Sequence, residues 1–190
     1  FVAFKLPNFL RRLFAEGAFN SAFVPMFSGM LAVDGKDKAR DFASQAMSFL
    51  LVVLLAVTAV FILAMPWLMY ILAPGFVDDP TKFDLTILLT RITRPYIIFA
   101  SLVSLLGGIL NSSDKFAAVA ATPIIMNLCL IILPWAMEDV TPTMAHGLAI
   151  SVMISGVAQW VWLVWFCKRQ GMLPKLVRPT LSPEVKKLLV

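Results

Sequence analysis

Within its first 33 residues this 190-residue chain carries Lys5, Asn8, Arg11, Arg12 and Glu16 inside an otherwise apolar run. At about 100° per helical residue, Lys5, Asn8, Arg12 and Glu16 fall within roughly 80° of one another, and Arg11 flanks Asn8 on the other side. Such a helix has one polar face. Ionisable groups at membrane depth are expensive and normally face a polar cavity. Paired guanidiniums offer planar bidentate donors and stay charged at any relevant pH, which suits a diphosphate. Glu16, one turn from Arg12, can hold that arginine when no anion is present. The structural alternative is that Arg11 and Arg12 snorkel to an interface while Glu16 neutralises one of them.

A second pair, Arg91 and Arg94, lies three residues apart just before Pro95. If its helix starts near Leu85, Arg91 sits only about 9 Å inside the outer end. Snorkelling explains the pair, and a second anion contact at an outer mouth is the sharper possibility. Two stripes of small residues, Ser101/Ser104/Gly108 and Gly147/Ser151/Ser155, have the three- and four-residue spacing that lets helices approach closely. His146 is isolated, and Asp78 with Asp79 sits in a Pro- and Gly-bounded turn. No Gly-rich phosphate loop, metal-ligand cluster or nucleophile motif is present, so neither catalysis, a metal nor a cofactor is expected. Cys129 and Cys167 show no CxxC spacing and read as small apolar fillers.

Composition decides where these residues must work. The chain is 60% apolar and 14% charged, against about half and about a quarter in soluble domains. Sixteen bases and eleven acids cannot cover the surface of so short a globule. Disorder is excluded on the same ground. The net charge of +5 is spread over the connectors rather than gathered in a patch, which argues against nucleic acid.

Apolar stretches predict helices over about 7–33, 41–73, 85–110, 116–137 and 143–167, since a span needs about 20 residues. The fold class is therefore all-α, a polytopic transmembrane helical bundle with about five transmembrane helices, and 1–190 is one domain fragment. Asn111-Ser112-Ser113-Asp114 is expected to close one helix and cap the next, and Thr141 before Pro142 to cap the last span. The connector with Lys36, Lys38 and Arg40, the one with Lys115, and the tail with Lys168, Arg169, Lys175, Arg178, Lys186 and Lys187 share one side and hold ten bases. The opposite connectors hold Lys82 and five acids. The basic side is expected to be cytoplasmic. Residues 168–190 then form a cytoplasmic tail leading to a further span, and the chain reads as a piece of a longer protein.

The run Lys5-Leu6-Pro7-Asn8-Phe9-Leu10-Arg11-Arg12-Leu13-Phe14-Ala15-Glu16-Gly17-Ala18-Phe19, continued by Ala22-Phe23-Val24-Pro25, closely resembles the signature of the lipid II flippase family (MurJ, also MviN). Ala73-Pro74-Gly75-Phe76, Pro95-Tyr96-Ile97, Gly108-Ile109-Leu110-Asn111 and Gly171-Met172-Leu173 extend the resemblance over essentially the whole chain. It implies the multidrug/oligosaccharidyl-lipid/polysaccharide (MOP) exporter superfamily, with this chain as helices two to six of a MATE-like amino-terminal lobe. The implied activity is alternating-access transfer of lipid II, the undecaprenyl-diphosphate-linked peptidoglycan precursor, across the bacterial inner membrane. Membrane lipids and the remaining helices of the full-length chain are the implied partners.

By resemblance Arg11 matches the family's cavity arginine, with Arg12, Lys5, Asn8 and Glu16 beside it, whereas helical geometry alone puts Arg12 first. Arg94 stands where the family has an apolar residue. The alternatives are a sister exporter of another polyprenyl-diphosphate saccharide and a non-transporting membrane protein of cell-wall assembly.

Overall fold

A computed structural model describes residues 18–72, 80–179 and 183–188, and among them it contains helices and no strand. The helices are α1 (Ala18–Val33), α2 (Lys36–Leu72), α3 (Pro80–Thr93), α4 (Tyr96–Asn111), α5 (Phe116–Ala136), α6 (Met144–Arg169) and α7 (Pro183–Leu188). Four helices are long and apolar enough to cross a membrane, namely Lys36–Ala64, Phe83–Asn111, Phe116–Ala136 and Met144–Arg169, and Ser21–Val33 is a shorter apolar helix. The part of the expected 7–33 span before Ala18 lies outside the described residues.

Position in the bundle follows from how each helix distributes its apolar surface. The most apolar stretch of Phe83–Asn111 is 67% buried among its neighbours, whereas that of α5 is 11% buried. α4 is thus the centre and α5 an outer wall, with Ile124, Leu128, Ile131 and Trp135 exposed. α6 packs on α3, α4 and α5, and α1 packs on α2 and α4. Phe23 is the hinge of the aromatic core, stacked on Phe27 at 5.5 Å and on Phe42 of α2 at 5.6 Å. Leu54, Leu105, Ile109 and Leu163 complete that core with no exposed surface. Gly156 carries α6 against α4: a Cβ there would stand 2.8 Å from the Tyr96 ring and 3.1 Å from Phe99 Cβ.

Helix ends differ from the hydropathy pattern in three places. α2 begins at Lys36 rather than Asp41, because charge does not stop a helix that has left the bilayer. At 37 residues it is about 55 Å long, well beyond a hydrocarbon core of about 30 Å. The expected 85–110 helix is broken at Arg94 and Pro95, and its first part starts at Pro80. Proline has no N–H to continue the ladder. The break is bridged by the Ile97 N–H donating to Arg94 O at 3.2 Å and the Ile98 N–H to Pro95 O at 3.0 Å.

Capping also differs. Ser112 and Ser113 close α4 by donating to Gly108 O and Ile109 O, while the N-cap of α5 is Lys115 without a side-chain bond. Thr143, not Thr141, is the N-cap of α6. Thr141 Oγ1 instead donates to Met137 O at 2.9 Å and shapes the preceding turn. His146 is hydrogen-bonded to Thr143 Oγ1 through Nδ1 at 2.8 Å, a local contact at the helix start.

Candidate functional site

Lys5, Asn8, Arg11, Arg12 and Glu16 lie outside the described residues. The helix that follows them in sequence, α1, is held tightly to the centre of the bundle. Gly108 on α4 permits this, since a Cβ there would meet Val24 Cγ2 at 3.0 Å. One turn further on, Ser28 Oγ donates to Ser112 Oγ at 2.9 Å. The closeness of α1 and α4 therefore rests on a small residue and an interhelical hydroxyl pair, as is common where helices pack in lipid.

Beside that contact runs a groove of about 320 Å³, walled by Val24 of α1, by α4 from Tyr96 to Asn111, by Val119 and Thr122 of α5, and by Gln159 of α6. Fifteen residues of helix separate Tyr96 from Asn111, so the groove extends about 22 Å along α4. Along α4 the small residues Ala100, Ser104, Gly107 and Gly108 leave the space that the groove occupies. Polar atoms converge on it: Tyr96 Oη donates to Met126 Sδ at 3.6 Å, Thr122 Oγ1 to Val119 O at 2.8 Å and Gln159 Nε2 to Ser155 O at 3.1 Å. Those bonds leave acceptor capacity on the Tyr, Thr and Gln oxygens. An apolar cleft with a few fixed polar groups suits an amphiphile better than a small ion.

Arg91 and Arg94 stand in different settings. Arg91 is exposed, whereas Arg94 is completely buried and its guanidinium lies 4.6 Å from the centre of the Phe61 ring. Pro95 ends the helix directly after Arg94, and the cation is stacked against α2. A desolvated cation over an aromatic face is a favourable pairing. Phe61, three and four residues beyond Thr58 and Val57 on an apolar helix, carried no sequence signal as the partner of a charge.

The small-residue stripes are packing surfaces in the structure. Ser101, Ser151 and Ser155 are buried, and a Cβ on Gly147 would stand 3.5 Å from Pro134 Cα. Cys167 is buried and Cys129 half-buried, both as free thiols. Among the described residues no group of His, Cys, Asp and Glu could hold a metal ion.

The geometry defines a class: a multi-pass α-helical membrane protein whose helices border a partly polar cleft. The family model for the lipid II flippase MurJ matches residues 1–190, and the chain belongs to that family. A probable lipid II flippase MurJ of Rickettsia prowazekii is 40% identical over 189 residues, covering 100% of this chain and 37% of that protein. The corresponding protein of Rhizobium meliloti is 42% identical over 193 residues, covering 99% of this chain and 36% of its own length. In Burkholderia cenocepacia a lipid II flippase MurJ is 34% identical over 194 residues, covering 100% of this chain and 37% of its own. The chain thus spans little more than a third of the curated relatives it matches. Membership and the membrane-capable helices make it part of a multi-pass protein of the bacterial inner membrane.

Proposed function

We propose that the full-length protein containing this chain moves lipid II from the cytoplasmic to the outer leaflet by alternating access, and that this chain supplies one wall of the cavity. The observation that carries the reading is the family match over residues 1–190, since the relatives that share the match are described as lipid II flippases. The polar residues between Lys5 and Glu16 precede α1 closely in the sequence, and α1 borders the groove through Val24. In this reading Arg11 and Arg12 hold the diphosphate by bidentate bonds. Lys5 and Asn8 add donors, and Glu16 holds Arg12 when the cavity is empty. Arg91, which is exposed, and Arg94, which lies against Phe61, are the candidate contacts at the outer mouth. No cofactor or bond-breaking step is required, so the reading is transport and not catalysis.

The test is lipid II translocation in cells depleted of their own flippase and complemented by the full-length parent, either with Arg11 intact or as Arg11→Ala at matched membrane abundance. Loss of translocation in the variant alone is the expected result. Normal translocation by the variant would remove Arg11 from the site and bring Arg12 forward. Failure of the parent itself to complement would favour an exporter of a different polyprenyl-diphosphate saccharide.

A further inference from the structure

The chain beyond α6 is fastened to the bundle rather than left in solvent. α6 ends at Arg169 and is closed by Gly171, with φ +68, whose N–H donates to Lys168 O at 3.1 Å while the Met172 N–H donates to Cys167 O at 3.0 Å. That paired closure turns the chain back across the bundle end. Residues 172–179 then run without helix or strand, bounded internally by Pro174 and Pro179. The Met172 sulfur lies 3.6 Å from Ser113 Oγ, and Pro174 is buried.

Two backbone bonds hold the rest. The Lys175 N–H donates to Ser44 Oγ at 2.9 Å and the Val177 N–H to Ser48 Oγ at 3.0 Å, both on α2. Each hydroxyl spends its own proton on the carbonyl four residues back, Ser44 on Arg40 O at 2.7 Å and Ser48 on Ser44 O at 2.8 Å, so its lone pairs are aimed outward. The spacing is a physical match. Four residues of helix rise about 6 Å, and two residues of extended chain cover about 6.6 Å, so a serine ridge at i and i+4 fits alternate N–H groups of a strap. Ser44 and Ser48 are each 3% exposed, whereas the side chains of residues 175 to 179 are exposed. Residues 175–179 are therefore held by backbone bonds, while Met172 and Pro174 anchor the start of the strap through side-chain burial. Beyond it α7 packs on α1 and α2 with Val185 buried.

We propose that residues 172–179 are a reversible latch on the Ser44–Ser48 ridge of α2, tying the end of α6 to the α1–α2 hairpin. The latch is independent of which lipid is moved, so its test uses no transport readout. Hydrogen exchange is followed in the full-length protein in nanodiscs over the peptide 173–179, where Pro174 and Pro179 carry no amide and Lys175 and Val177 report the two bonds. In the wild type, exchange is expected to be slower than in the free peptide yet faster than in the core of α6. Ser44→Ala/Ser48→Ala is expected to speed it on the order of ten-fold or more, since each lost bond is modest and the two act together. Ser44→Thr/Ser48→Thr keeps both hydroxyls and is expected to restore slow exchange. Unchanged exchange in the alanine pair overturns the latch, and wild-type exchange as slow as that of α6 overturns its reversibility. If the alanine pair loosens α2 and α6 as well, Ser48→Ala alone decides, through Val177 exchange relative to Lys175.

Discussion

Arg94 sets the terms on which this bundle holds a charge. Its side chain has no exposed surface, and Phe61 offers a ring face 4.6 Å from the guanidinium. Phe61→Leu keeps the apolar volume approximately and removes the π face. Its cost is expected to be about 1–2 kcal/mol when Arg94 is present and near zero beside Arg94→Leu, because only the pairing is lost. A double-mutant cycle on detergent unfolding measures the difference, and equal costs in both backgrounds would show that Phe61 matters only as packing. The chain itself disclosed part of this. Arg91 and Arg94 stand out as charges in an apolar stretch, and their spacing suggests one shared face. Their separation into an exposed and a buried residue depends on where α2 passes, a tertiary fact that local spacing does not encode. Arg11 and Arg12 lie outside the described residues, and in the sequence they form a polar stripe on an apolar run, a pattern that suggests an anion contact but carries no placement.

At the scale of elements, hydropathy located the membrane helices because desolvation dominates every other local preference there. It could not locate helix ends, since Lys36–Arg40 remains helical beyond the apolar stretch and residues 80–84 join a helix despite Lys82 and Asp84. Caps were misplaced for a related reason: Thr141 and Thr143 are chemically equivalent, and only the turn geometry selects Thr143. The small-residue stripes were more informative, because the distance between helices is set by what their side chains permit. Gly156→Ala is expected to cost about 1–3 kcal/mol, since the new methyl would stand 2.8 Å from the Tyr96 ring and Phe99 backs it. Gly29→Ala, where nothing lies within 4 Å of the added carbon, is expected to be neutral or to stabilise α1 by up to about 1 kcal/mol. Thermal unfolding of the two purified variants checks both, and equal losses would mean that α4 and α6 are not in close register at Gly156.

For the whole molecule the decisive quantity is the charge on each side of the membrane. The turn between α1 and α2, the turn between α4 and α5, and the strap after α6 meet at one end of the bundle, where the strap bonds to α2 and Met172 to Ser113. Lys36, Lys38, Lys115, Lys168, Arg169, Lys175 and Arg178 lie in these segments or in the helix ends that adjoin them. The turn between α5 and α6 lies at the opposite end and carries Glu138 and Asp139 without a base. An excess of lysine and arginine orients short loops toward the cytoplasm, so the latched end is expected to face inward and the acidic turn outward. Single cysteines at Lys38, Lys115 and Glu138, all exposed, report this directly. They are introduced into the full-length protein with Cys129 and Cys167 replaced by alanine. A membrane-impermeant maleimide applied to spheroplasts is expected to label Glu138→Cys at once, and Lys38→Cys and Lys115→Cys only after permeabilisation. The reverse pattern would place the strap on the outer face, where it would guard release of the headgroup rather than its entry. Equal labelling of all three before permeabilisation would mean that the three turns share a side, which an antiparallel bundle of spanning helices forbids.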